Sequence, residues 1–317
     1  MNHHFVQTNG LRMHVVEEGD GHPVILCHGF PELWYSWRHQ IPYLANAGFR
    51  VVVPDMRGYG RTDQPADVTA YNIVELVNDM RGLLSAIGKT NAIFVGHDWG
   101  ALVVWNLAQM VPEVVTAAVG IGVPIMPRPV KPPTEIWRAM SGDAFNYLLY
   151  FQEVGLAEAE LGRDPRRTLS RVSPPPGSHN PWPKAGTGML SETPQHPPCP
   201  LWFTEDDLNF IASEFERTGF VGGLNWYRNV DLNWQLTEKS ADQKISAPTL
   251  FIAGENDPAL KFGPVQTMEE WMPDLRGKHI LKDTGHWTQQ ERPEAVNRLL
   301  LSFFQSLSLQ PQPPKDS

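Results

Sequence analysis

The sequence predicts an α/β protein: a mostly parallel sheet with helices on both faces, interrupted by an inserted helical segment. Three observations carry this expectation. Short, continuous apolar runs recur between helical patterns, as buried parallel strands do. The rhythm stops at about Pro124 and resumes after Ala241. The stretch between has helical patterning and no convincing parallel strand.

The elements follow in order. RMHVVEEG (12–19) alternates, with Met13 and Val15 on one face, and predicts an antiparallel strand. PVILCHG (23–29), RVVVPD (50–55), NAIFVGHD (91–98) and PTLFIAGEND (248–257) are apolar runs that end in Gly, Asp or Pro-punctuated turns. Ile73, Leu76, Val77, Met80, Leu84 and Ile87 recur at helical steps and form one buried stripe, which Gly88 terminates. Residues 124–241 read as a cap, with a Pro-rich loop at 172–200 that holds nine prolines. Proline withholds a backbone donor, so this loop suits neither a helix interior nor a central strand. Pro293 opens a last helix whose buried face is Val296, Leu299, Leu300, Phe303 and Phe304. The core is thus expected at 1–123 and 242–307, and the polar, Pro-rich tail 308–317 is expected to fray.

Composition narrows the function. The 317 residues are 41% hydrophobic and 19% charged, enough to bury a large core. A formal net charge of −9 disfavours nucleic acid or an anionic membrane as partner. No run of 18 or more apolar residues predicts a membrane span, and MNHHFVQTNG lacks a secretory pattern. Cys27 and Cys199 lie far apart and form no disulfide framework, and Cys27 reads as a small core hydrophobe. A reducing, cytoplasmic setting is expected, as a monomer or homodimer.

The chemistry centres on VGHDWGA (95–101). Gly96 and Gly100 flank Asp98 at two-residue distance, the spacing of a strained strand-to-helix turn that presents a nucleophile. Asp98 could also be a plain helix cap. A carboxylate that attacks a saturated carbon leaves an ester, which water can cleave; a serine would leave an ether, which it cannot readily cleave. Asp98 therefore points to an epoxide or a haloalkane. The second step needs a base. GENDPA supplies Asp257 and DTGHWTQ supplies His286, in the order nucleophile, acid, histidine of the α/β hydrolases. Glu255 and Asp283 are rival acids, but Asp257 lies further past its strand. HGFPE (28–32) offers the N–H of Phe30 to join that of Trp99 in an oxyanion hole, with a cis Phe30–Pro31 bond expected. An opened epoxide leaves an alkoxide, to which a tyrosine can donate a proton. FNYLLYFQE (145–153) and GLNWYRN (223–229) both contain candidates.

Together HGFPE, DMRGYGRTD (55–63), GHDWGA, FNYLLYFQE, LNWYRN, GEND and GHWTQ closely resemble the soluble epoxide hydrolases of the α/β-hydrolase superfamily, from about Phe5 to Gln305. The resemblance implies the α/β-hydrolase fold with Asp98 as nucleophile, Asp257 as acid and His286 as base. It also implies Tyr147 and Tyr227 as the tyrosines that activate the epoxide oxygen; Tyr150, one turn from Tyr147, is out of register. The implied reaction turns an epoxide and water into a vicinal diol with no cofactor and no metal. The chain looks like the single-domain plant and bacterial forms. Trp34, Trp99, Trp226, Trp287 and Phe151 are expected as apolar walls for a lipophilic epoxide. Two other readings use the same fold. A haloalkane dehalogenase would need halide donors and no tyrosine pair, and a non-catalytic receptor would bind a ligand without turnover.

Overall fold

The structure, a computed structural model, describes residues 1–173, 183–195, 197–199, 202–263, 265–307 and 309. Much of the Pro-rich loop and nearly all of the expected tail 308–317 lie outside the described residues. By its contacts the chain divides into two compact units. One comprises Met1–Met56, Leu76–Pro127 and Asp242–Ser317; the other comprises Arg57–Glu75 and Arg128–Ala241.

The first unit is built on one sheet. Its strands are β1 (Asn2–Thr8), β2 (Leu11–Glu18), β3 (His22–Cys27), β4 (Phe49–Pro54), β5 (Ala92–His97), β6 (Val115–Ile121), β7 (Thr249–Gly254) and β8 (Leu275–Leu281). They lie in the order β1-β2-β4-β3-β5-β6-β7-β8. β2 pairs antiparallel with both β1 and β4, and every other neighbour is parallel. The chain passes from β3 to β4 on one side, then returns past β3 to β5 on the other. Loops leaving β3 and β5 diverge there, which opens a crevice at their carboxyl ends.

β3, β4, β5 and β7 are the apolar runs legible in the sequence. β1, β6 and β8 are not, for three different reasons. β1 is an edge strand whose NHHFVQ side chains are exposed or half-buried, so no apolar run marks it. β6 reads VTAAVGI, poor in large side chains. Its Gly120 is required because a Cβ there would stand 2.0 Å from Cζ2 of Trp105. β8 is the other edge and carries Arg276, Gly277 and Lys278.

Helices cover both faces of this sheet. In chain order they begin with α1 (Gln40–Asn46), α2 (Ile73–Ala86) and α3 (Trp99–Met110). The second unit's own helices, which lie next in the chain, are α4 (Pro133–Ser141), α5 (Tyr147–Tyr150), α6 (Leu156–Leu161), α7 (Pro165–Val172), α8 (Glu205–Thr218), α9 (Val221–Arg228) and α10 (Val230–Leu236). The chain closes with α11 (Thr288–Glu291) and α12 (Pro293–Gln305). Side chains of one parity, among them Val24, Leu26, Val51, Val53, Ile93 and Val95, form a core with Ile41 and Leu44 of α1 and Val296, Leu300, Phe303 and Phe304 of α12. The opposite parity meets α2 and α3: Cys27 Sγ lies 3.5 Å from Met80 Sδ, and Trp105 fills the space over Gly120. Burial pushes the Cys27 thiol up, so it is an inert core residue. The stripe expected for α2 is buried throughout, with Leu83 added. On α12, Leu299 is only half-buried and Asn297 is buried in its stead.

The second unit is helical, with no strand in 128–241 among the described residues. Its short helices are fixed at their ends. Asn146 caps α5 by accepting from Leu148 N–H at 2.9 Å, Asp164 caps α7, and Thr204 with Asp207 forms a capping box on α8. Gly58 and Gly222 let the 57–75 segment approach α9, since a Cβ on Gly222 would lie 2.0 Å from the carbonyl oxygen of Gly58. Within the Pro-rich loop, Arg167 donates to the carbonyls of Leu190, Thr193 and Pro194. Glu160 accepts from the N–H groups of Met189 and Leu190.

Phe304 is fully buried and packs edge-on against Phe49 at 5.2 Å between ring centroids. Phe304→Ala is expected to cost about 3–5 kcal/mol of stability through lost transfer energy and a residual cavity. Urea unfolding checks this as a lower midpoint at unchanged slope; a loss under about 1 kcal/mol would mean that α12 is not anchored by this ring.

Candidate active site

Asp98 stands between β5 and α3 with φ 53° and ψ −122°, a backbone state that side chains other than glycine rarely adopt. Three glycines make that turn possible. A Cβ on Gly96 would lie 2.1 Å from the Gly100 carbonyl oxygen, one on Gly100 2.1 Å from that of Cys27, and one on Gly29 2.3 Å from Asp98 Oδ1. The side chain makes no capping bond to α3, which removes the plain helix-cap reading. Its Oδ1 instead accepts from Phe30 N–H at 2.8 Å, and its Oδ2 lies 3.6 Å from His286 Nε2. Phe30–Pro31 is cis, as expected. Trp99 is the first residue of α3, where backbone N–H groups have no partner inside the helix.

His286 lies on the loop between β8 and α11, and its Nδ1 is 2.9 Å from Asp257 Oδ1. That oxygen also accepts from Ala259 N–H at 2.8 Å, which fixes the carboxylate. Of the rival acids, Glu255 and Asp283 are both exposed, and Glu255 accepts from the backbone N–H of Asp283 at 3.3 Å. Gly122, at φ 79°, lies against Asp257 and leaves it room: a Cβ there would be 2.9 Å from Oδ2.

Electrostatics follow from this alignment. Burial works against a charge on His286, but Asp257 and then Asp98 outweigh it and hold the imidazole well above its ordinary 6.5. Burial likewise works against a charge on Asp98, yet His286, His97 and the Phe30 N–H together hold its carboxyl below the usual range. Both shifts favour a carboxylate on Asp98 and a proton on His286.

Two residues inside the recognised motifs had no role assigned from sequence. His97 is fully buried, with Nδ1 2.7 Å from Glu32 Oε2 and Nε2 2.9 Å from the His286 carbonyl oxygen. Glu32 also accepts from Gly29 N–H at 3.0 Å and from the side-chain amides of Gln289 and Gln290 at 3.1 and 3.2 Å. Burial opposes its charge, but His97 and the Gly29 N–H hold its carboxyl below the usual range. The Glu32–His97 pair ties the Phe30 turn, the residue before Asp98 and the loop of His286 to one point. A glutamate and a histidine in otherwise apolar, turn-flanked runs are the signal that could have found them, since a buried charge needs a partner.

The tyrosines belong to the helical unit. Tyr147 opens α5 and Tyr227 is the penultimate residue of α9. Their rings lie edge to face with centroids 6.3 Å apart, and Phe151 contacts both, at 5.5 Å from Tyr147 and 5.1 Å from Tyr227. Tyr150 turns elsewhere and donates to Glu160 at 2.7 Å. Trp226 is fully buried, donates its indole N–H to the Arg57 carbonyl at 3.1 Å and packs edge-on to Tyr59. Trp287 lies edge-on to His286 at 4.9 Å. Half-buried Trp34 packs on His3 at 5.0 Å. Among the described residues no group of three or more His, Cys, Asp or Glu could hold a metal ion, and no helix is long and apolar enough to cross a membrane.

The sequence matches the alpha/beta hydrolase fold family over residues 22–166. It is 46% identical over 316 residues to epoxide hydrolase A of Mycobacterium tuberculosis, covering 96% of this chain and 97% of that protein. It is 43% identical over 305 residues to the pig bifunctional epoxide hydrolase 2, covering 94% of this chain and 54% of that longer protein. The fold superposes on the crystal structure of epoxide hydrolase A from Mycobacterium thermoresistibile with a TM-score of 0.92 and 47% identity, over 98% of this chain and 99% of that one.

Removing the charge of Asp98 should lower the pKa of His286. In the unsubstituted protein, whose His286 value is raised, the ionic contribution to stability is complete below 6.5 and is lost as pH rises through the folded-state value. In Asp98→Asn that contribution should be smaller and its loss should be complete at lower pH. Imidazole NMR titration reads the value directly; an unchanged His286 titration would mean that the two side chains are not coupled.

Proposed function

Since the chain belongs to the epoxide hydrolases of the α/β-hydrolase fold, we propose that it opens a lipophilic epoxide through an ester on Asp98. One observation carries the assignment: a carboxylate on a strained turn, with one oxygen on the Phe30 N–H and the other 3.6 Å from an imidazole that Asp257 orients.

The reaction then runs in two steps. Asp98 Oδ2 attacks a ring carbon and the carbon–oxygen bond breaks. The departing alkoxide takes a proton from Tyr147 or Tyr227, while the other tyrosine donates a hydrogen bond to the same oxygen. The product is an ester whose carbonyl oxygen is Oδ1, already at the Phe30 N–H. The tyrosinate left by the first step regains its proton at the expense of the His286 imidazolium; in the second step the neutral His286 takes a proton from water, and the hydroxide adds to the carbonyl carbon of Asp98. Phe30 and Trp99 N–H groups stabilise the oxyanion. Collapse releases the vicinal diol and restores the carboxylate. Asp257 stabilises the imidazolium that forms. Residues 124–241 serve as the cap, and Phe151, Trp34, Trp99, Trp226 and Trp287 as apolar walls for the substrate. The two cysteines are both free, which suits a reducing, cytoplasmic setting.

His286→Gln should complete the first step and stall before the second. Mixed with an aryl epoxide and a bromoalkane of different mass, it should gain the whole epoxide mass, mapped to Asp98. A gain of the alkyl group without bromine would make the chemistry dehalogenation, and no adduct at all would remove the ester. Asp98→Ala should form neither adduct nor diol; substantial diol would sink the mechanism. Tyr147→Phe or Tyr227→Phe alone should slow ester formation by about 10²-fold, the usual worth of one positioned proton donor, and the pair should nearly abolish it.

A further inference from the structure

The two tyrosines stand on separate helices, and one of these, α5, is too short to hold its own direction. α5 is a single turn of four residues. One turn fixes several dihedrals for few hydrogen bonds and has little stability alone. Its orientation relative to α9 is set from outside.

Two side chains set it. Gln152 donates from Nε2 to the Leu148 carbonyl at 2.8 Å and to the Tyr227 carbonyl at 3.0 Å, joining the backbones of α5 and α9. The side chain of Arg228, next to Tyr227, is 4% exposed. Its Nε donates to the Phe151 carbonyl at 3.0 Å and its Nη2 to the Glu153 carbonyl at 3.0 Å. Nη1 reaches Asn225 Oδ1 at 2.9 Å and Glu158 Oε1 at 2.5 Å, and Nη2 also reaches Glu158 Oε2 at 2.9 Å. Every one of the five guanidinium hydrogens is thus used, two of them on one carboxylate. Glu158 is itself tied to the backbone N–H of Gly155 at 2.9 Å. A lysine has three donors on a flexible stem and cannot reproduce this fork. The two carbonyls held by Arg228 lie on the turn that leaves α5, and Phe151 is the residue whose ring contacts both tyrosines.

We propose that Arg228 is a positioning residue for ring opening: with Glu158 and Gln152 it locks the Tyr147 and Tyr227 hydroxyl-bearing rings into one pair. The inference rests on the tyrosine roles given under Proposed function. It concerns the first chemical step alone, because the second belongs to His286, Asp257 and the Phe30 turn.

Single-turnover kinetics with enzyme in excess over an aryl epoxide separate the two steps, and unfolded molecules reduce the amplitude without changing either rate constant. In Arg228→Lys, ester formation is expected to slow by about tenfold or more, the cost of a catalytic group displaced by less than an ångström. Ester hydrolysis should stay within about twofold. Gln152→Met, which severs the Leu148–Tyr227 bridge, should show the same split and decides the matter if Arg228→Lys does not fold. Unchanged ester formation, or both constants falling together, overturns the proposal. A Tyr147→Phe/Tyr227→Phe protein is run beside them. If it alone loses ester formation, the clamp falls and the tyrosine roles stand; if it keeps full ester formation, both fall.

Discussion

The backbone of Asp98 is the constraint on which the rest of this structure depends. Holding φ at 53° in a residue with a side chain costs of order 1–3 kcal/mol, and nothing local repays it. The turn persists because its neighbours leave the chain no other path. β5 is buried between β3 and β6, α3 begins at once, and Gly96, Gly100 and Gly29 allow backbones to approach where any Cβ would collide. What the strain achieves is exposure of a carboxylate at the end of a buried strand, with its oxygens facing the Phe30 turn and His286. A relaxed helix cap would have turned the same carboxylate onto α3.

That placement would be imprecise if the three loops moved independently. The turn after β3, the end of β5 and the loop after β8 are far apart in sequence, yet Glu32 and His97 join them. Glu32 takes hydrogen bonds from Gly29, His97, Gln289 and Gln290, and His97 passes the connection to the His286 carbonyl. The pair is buried, so its hydrogen bonds act in a low dielectric and their geometry is narrowly defined. The helical unit solves the corresponding problem with Arg228 and Glu158. In both units, buried charged side chains hold loop ends whose own backbone conformation would not.

The sequence shows the fold where burial is two-sided and hides it at the edges. β3, β4, β5 and β7 are continuous apolar runs because both faces are covered. β1 and β8 are edge strands with polar surfaces, and β6 traded large side chains for alanine and glycine to admit Trp105. Asp98, Asp257 and His286 were legible because chemistry demanded those residue types at strand ends in that order. The tyrosines were not legible from residues alone: Tyr147 and Tyr150 sit one turn apart, and only their partners differ, Phe151 and Tyr227 for one and Glu160 for the other. Glu32, His97 and Arg228 were present in motifs yet silent, since a role that consists of holding other residues leaves no spacing rule.

The charges at the site also order the two chemical steps. His286 is held protonated by two carboxylates, which makes it a poor base in the resting protein. That state suits the first step, in which Asp98 must remain an ionised nucleophile and no base is needed. Once Asp98 becomes an ester its charge is gone, and one of the two attractions that kept the proton on His286 goes with it. The imidazole then gives up its proton more readily, to the tyrosinate that the proposed ring opening leaves, and can take another from water. Asp257 remains, hydrogen-bonded at Nδ1, to keep the ring turned and to stabilise the returning charge. Sequencing of this kind requires no moving part. It requires that nucleophile and base be close enough to feel each other's charge, which the turn at Asp98 and the loop at His286 provide at 3.6 Å. A serine in place of Asp98 would lose more than a hydrolysable ester: being neutral before and after attack, it could not switch the base.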